Sequence, residues 1–295
     1  MPPPDAGSAP VRNLDPRTVR GFGDEWSRLD QTELSPAEWQ DLFDHYFHLV
    51  DWTALPTQAR AFDLGCGSGR WAKGVAPRVG TLHLIDASQD ALDVARRALQ
   101  DHPNCVFHCA SVEALPLDPA SMDFGYSLGV LHHVPDPAAG LRACVSRLKP
   151  GAPFLVYLYY AFDNRPWWYR LVWRASDVVR RGVSTLPLRA RYGVSQALAA
   201  AVYWPLARLA AIGERAGLHV DGWPLAFYRR RSFYTMRTDA LDRFGTRLEH
   251  RMTRDEIARV LAAAGLERIR FSDRPPFWCA MGCRSGTRDG GTGPA

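Results

Sequence analysis

The stretch Ala61-Phe62-Asp63-Leu64-Gly65-Cys66-Gly67-Ser68-Gly69-Arg70 decides the fold. Residues 61–65 have the short apolar run of a buried strand. Asp63, Gly65, Gly67 and Gly69 then stand at alternate positions in the turn leading to a helix. Glycines there remove side chains where a ligand must touch backbone, and a helix start presents free N–H groups. A dinucleotide loop of the form G-x-G-x-x-G would need a third glycine at position 70, which is Arg70, so the spacing disfavours NAD or FAD. About 20 residues on, Asp86 ends the next apolar run, where a carboxylate can accept hydrogen bonds from both hydroxyls of a ribose.

Outward from this loop, strands and helices alternate. The pattern predicts strands over 61–65, 81–86, 104–109, 122–128 and 153–160, joined by helices over 70–79, 89–101 and 137–148, with Lys149-Pro150-Gly151 stopping the last. Such an alternation predicts an α/β doubly wound parallel sheet. Ser35-Pro36 opens an earlier helix carrying Trp39, Leu42, Phe43, Tyr46 and Phe47 at helical spacing. From about 164 to 251 the rhythm gives way to helical segments rich in Trp, Tyr and Arg. It returns with a helix over 253–264, capped by Thr253 and Glu256, and strands over 266–272 and 277–283. The expected organisation is a disordered tail to 15, a helical preface or lid over 16–55, the core over 56–163, an insertion over 164–251, the core again over 252–284, and a disordered tail from 285.

These motifs together resemble the class I S-adenosylmethionine-dependent methyltransferases, in the small-molecule group that includes ubiquinone and menaquinone biosynthesis enzymes. The resemblance covers 61–160: FDLGCGSG is similar to the family's first motif, IDAS to its second, ASVEALPL to its third, DFGYSLGVLHHVPD to its fourth and LKPGAPFLVY to its fifth. It implies a Rossmann-like sheet of seven strands in the order 3-2-1-4-5-7-6 with the last antiparallel. It also implies S-adenosylmethionine as cofactor, leaving as S-adenosylhomocysteine. Asp63 with Gly65, Cys66, Gly67 and Gly69 would hold the methionine end, Asp86 and Ala87 the ribose, Ser111 and Val112 the adenine, and the Leu128 carbonyl would face the ammonium. Many relatives have Asp where this chain has Ser111.

A sulfonium already carries an activated methyl, so such an enzyme chiefly aligns a nucleophile and excludes water. His133, and next to it His132, follow the fourth strand at the sheet edge where ligands bind, and are the candidate general bases. The insertion is the expected acceptor lid, with Tyr159, Tyr160, Asp163, Trp167, Tyr228 and Arg230 as candidate substrate contacts. The triplet Arg229-Arg230-Arg231 could take a phosphate, a carboxylate or an anionic lipid surface. The first expected activity is O-methylation of a specialised metabolite or sugar. C-methylation of a lipid-like quinone precursor and N-methylation are alternatives, and a nucleic-acid methyltransferase and a non-catalytic S-adenosylmethionine-binding partner subunit are rivals.

The chain of 295 residues has a net charge of +5, concentrated as arginine after about residue 165. That bias suits a peripheral membrane contact through the insertion, but no nucleic-acid partner is expected, because no RNA-binding motif and no Pro-Pro-aromatic motif follows the fourth strand. Six cysteines without a Cys-x-x-Cys pair imply a reducing, cytoplasmic setting and no metal, with Cys105 and Cys109 sharing a buried strand face. MPPPDAGSAP lacks the apolar core of a secretory signal, and Ala197–Ile212 is broken by Pro205 and Arg208, too short for a membrane span.

Overall fold

A computed structural model of the chain describes residues 13–286. Two helices come first, α1 (Pro16–Arg28) and α2 (Pro36–Phe47), each with Pro in its first turn and an oxygen at its N-cap, from Asp15 and Ser35. The core follows as β1 (Arg60–Leu64), α3 (Ala72–Val75), β2 (Thr81–Asp86), α4 (Gln89–Ala98), β3 (Cys105–Cys109), β4 (Phe124–Leu128), α5 (Pro137–Arg147) and β5 (Pro153–Tyr157). The insertion holds α6 (Trp167–Val183), α7 (Leu188–Leu198), α8 (Trp204–Arg215) and α9 (Phe233–Gly245), and the core closes with α10 (Arg254–Ala263), β6 (Leu266–Phe271) and β7 (Cys279–Arg284).

The seven strands run in the order β3-β2-β1-β4-β5-β7-β6, parallel except for β7, which is antiparallel to both neighbours. This is the doubly wound, Rossmann-like sheet that the motif order implied. One face of the sheet packs under α2, where Phe43 and Phe47 stack at 4.3 Å and Phe47 meets Tyr126 edge-on. The other face holds Phe62, Phe154, Ile257 and Leu261. Burying such side chains contributes about 1.5–3 kcal/mol each.

Several expectations shift. The helix expected over 70–79 is one α turn continued as a tighter turn, because Pro77 lacks the N–H that a longer helix needs. β5 ends at Tyr157, and Tyr160 instead bridges to Met252 as the chain leaves for the insertion. Cys109 is exposed rather than part of a buried pair, since β3 is the sheet's outer strand and has less packed over it. α7 and α8 join through a π turn, Ala199–Tyr203, without a break in the helical backbone. Most of the two expected disordered tails lies outside the described residues. Asn13, within them, is tied down: its side chain clasps the Asp136 backbone at 2.9 and 2.7 Å and its N–H donates to Glu113.

Candidate active site

The glycine loop leaves β1 with Gly65, Gly67 and Gly69 all at positive φ. At Gly65 an added Cβ would lie 2.3 Å from Val130, and at Gly67 it would lie 2.8 Å from the Trp26 ring, so no other residue fits at either place. The Gly67 N–H donates to one oxygen of Asp86 at 3.0 Å and the Ser88 N–H to the other at 2.9 Å. These bonds orient the carboxylate at the end of β2 and offset part of the burial that raises its pKa.

A cavity of about 120 Å³ opens against this edge. Gly65, Asp86, Ala87, Ser111, Val112 and Leu128 form its core side. Its roof is the N-terminal segment, with Phe22 and Trp26 of α1 over it. Asp63, Cys66 and Gly69 lie behind this wall. Asp63 is buried, one of its oxygens has no partner, and burial pushes its carboxyl up to about 8, against the pull of the Tyr126 hydroxyl beside it.

His133 also lines the cavity, with its ring 5.1 Å from Phe22. Its Nδ1 lies 2.6 Å from the Leu248 carbonyl, which can only accept, so the proton sits on Nδ1 and Nε2 keeps its lone pair. Burial holds the imidazole down at about 4, with the Leu248 carbonyl acting the other way, so it is neutral at pH 7. Nε2 has no hydrogen-bond partner and stands 3.8 Å from Asp242.

Beyond His133 three carboxyls converge. Tyr159 donates to Asp242, and Tyr228 donates to Asp239 at 2.8 Å. Burial raises both aspartates to about 6. Glu25, on α1, is buried with one oxygen unpartnered and its pKa pushed well up, by burial first and then by Asp242 and Asp239. Arg70, stacked on Trp71 at 4.2 Å, counters all three, joined by Arg243 at Asp242 and by Arg231 at Asp239. A second cavity of about 440 Å³ lies between α1, the start of α7 and the end of α9, and Phe22 and Glu25 stand in its wall.

Residues 62–156 match a family described as a methyltransferase domain. The core of this chain thus resembles the class I S-adenosylmethionine-dependent methyltransferases. It is similar to the ubiquinone biosynthesis O-methyltransferase of Paracidovorax citrulli, with 30% identity over 161 residues, 54% of this chain and 66% of that protein. The namesake from Idiomarina loihiensis is 37% identical over 94 residues, 31% of this chain and 39% of that protein. The chain thus spans less than two thirds of these curated relatives. Among solved structures, human N-acetylserotonin methyltransferase in complex with S-adenosylmethionine superposes with a TM-score of 0.54 at 16% identity, over 95% of this chain and 61% of that one. This likeness is one of fold.

The two adjacent histidines part company. His132 is wholly buried, accepts the Tyr159 N–H at 3.3 Å and stacks on that ring at 3.8 Å, away from the cavity. Of the residues expected to meet an acceptor, Tyr159 and Tyr228 reach the carboxyl cluster and the others do not. Tyr160 packs among Phe162, Phe277 and Trp278. Asp163 caps α10 through the Arg254 N–H and takes the Trp278 ring N–H. Trp167 is 70% exposed on the outer side of α6. Arg230 and Arg229 are spent on Glu214, and Arg231 on Asp41, so the triplet is no open anion site. Phe22, Glu25 and Trp26 of α1 and Asp239 and Asp242 of α9 belong to no motif that the sequence displays. Asp15-Pro16 marked a helix start, and two aspartates three apart mark one helix face.

Proposed function

We propose that this chain is an S-adenosylmethionine-dependent methyltransferase acting on a hydroxyl of a small molecule, with His133 as general base. The observation that carries it is the neutral imidazole of His133, which lines the cavity under α1 and whose unpartnered Nε2 stands 3.8 Å from Asp242. Asp86 would take the ribose hydroxyls, Ser111 and Val112 the adenine, and Gly65 and Leu128 the amino-acid end. Bound S-adenosylmethionine supplies an activated methyl group and leaves as S-adenosylhomocysteine. His133 takes the proton of the acceptor hydroxyl on Nε2 as the oxygen forms its bond to carbon, and Asp242 stabilises the imidazolium so formed. Tyr159 and Tyr228 hold Asp242 and Asp239 in place around the acceptor. The names of the curated relatives support oxygen as the methylated atom.

The test is methyl transfer from labelled cofactor to a panel of phenols, sugars and amines of similar size. Labelled product from a hydroxyl compound is expected. His133→Gln should lower kcat by about a hundredfold to ten-thousandfold while leaving S-adenosylhomocysteine affinity unchanged. Transfer confined to amines, or full activity in His133→Gln, would overturn the proposal.

A further inference from the structure

Large apolar side chains normally hide in a fold, and scattered exposed ones need no explanation. Here they are not scattered. Among the described residues, every large hydrophobic side chain that stands exposed lies within 167–233, except Val106. The same insertion, residues 164–251, carries sixteen arginines against six acidic residues, while the rest of the chain is net negative at −5.

α6 shows how the two properties combine. Its inner side is anchored: Asp177 and Arg180 are buried and paired at 2.6 Å, and Arg180 donates to the Thr246 and Arg247 carbonyls. Its outer side has two apolar rows with the same helical spacing, Trp167, Leu171 and Val178, and Trp168, Val172 and Val179. Leu171 is 58% exposed and Val178 71%. Along the edge of the first row runs a third with identical spacing, Arg170, Arg174 and Arg181, all exposed. Of these only Arg181 has an ion pair among the described residues, to Asp177. α8 adds exposed Trp204, Leu209 and Ile212.

An apolar face bordered by arginines is the pattern of a helix lying in the plane of a bilayer. The apolar rows enter the acyl boundary while the guanidinium groups reach back to the phosphates. No described helix is long and apolar enough to cross a membrane, so such a contact lies on the surface. We propose that the outer face of α6 docks this protein onto anionic lipid bilayers. Charge complementarity selects this occupant: the net positive charge of the insertion is drawn to anionic headgroups, each exposed arginine adding to the attraction. A second copy of the same face would bring like charges together. The proposal is independent of which atom is methylated.

The test is co-sedimentation of the full chain with vesicles of phosphatidylglycerol and phosphatidylcholine in equal parts, and with phosphatidylcholine alone, at low and high salt. The wild type is expected to partition onto the anionic vesicles, more weakly at high salt and on the neutral ones. Leu171→Glu/Val178→Glu should weaken partitioning by about a hundredfold, and Arg170→Gln/Arg174→Gln by about tenfold, with S-adenosylhomocysteine binding and Tm kept. Should the apolar double variant fail to fold, the arginine pair alone decides. No partitioning by the wild type at low salt overturns the proposal, as does partitioning indifferent to the variants. So does a dimer in sedimentation velocity that the apolar variant dissociates while the wild type ignores vesicles.

Discussion

Asp63 opens the glycine loop, yet its carboxyl is buried, half-unpartnered and pushed up to about 8. A carboxyl whose pKa is raised on folding costs nothing below its unfolded value, 3.8, and costs progressively more as pH rises toward 8. At pH 7 the cost is of order 4 kcal/mol, from the 1.36 kcal/mol that each pKa unit represents. Asp63→Asn keeps the shape and cannot ionise. It also sets an amide N–H₂ where an oxygen now lacks a partner, which costs about 1–3 kcal/mol at every pH. The difference between the two proteins should therefore change sign: the variant is less stable near pH 4 and more stable, by about 1–3 kcal/mol, at pH 7, the gap widening toward pH 8. Urea unfolding at about pH 4.5, 6, 7 and 8 measures this directly. Buried His133 loses stability in the opposite sense, as pH falls from 6.5 toward 4, but both proteins contain it and it cancels. Parallel stability curves for wild type and Asp63→Asn across this range would refute the reasoning.

Asp86→Ala removes the oriented carboxylate at the end of β2 and should weaken S-adenosylhomocysteine binding by about tenfold to a hundredfold in calorimetry. Asp242, raised to about 6, becomes charged as pH rises through that value, so kcat should climb between about pH 5 and pH 7. In Asp242→Asn that acid limb should disappear and kcat stay low. Arg230→Glu replaces a 75% exposed partner of Glu214 and should change stability by less than about 1 kcal/mol and leave KM alone, because the ion pair is screened by solvent.

Local chemistry wrote most of the core into the sequence. Gly65 and Gly67 are required by backbone conformation and by the side chains that crowd them, Asp86 by its place at a strand end, and Thr253 with Glu256 by the capping box they form. Backbone conformation, strand ends and caps are local, so the loop and its elements were legible in the sequence, while the sheet order came from the resemblance that the motifs carry and the crowding by Val130 and Trp26 from the fold. What stands opposite the cofactor edge was not legible. Nothing in the spacing of His132 and His133 tells which one keeps a free nitrogen; the Leu248 carbonyl, 115 residues away, decides it. Glu25, Asp239 and Asp242 meet because α1 and α9 pack over the same edge, and their raised pKa values are products of that burial. Arginine content suggested an anion site at 229–231, where folding supplied Glu214 and Asp41 as partners, while unpaired Arg170 and Arg174 line the apolar face of α6. The sequence by itself determined the alternating strands and helices, their caps and the glycine loop, because those follow from local pattern and backbone conformation. Only the tertiary structure decided the acceptor side and the outward face, because these depend on which distant side chains burial brings together and which it leaves in solvent.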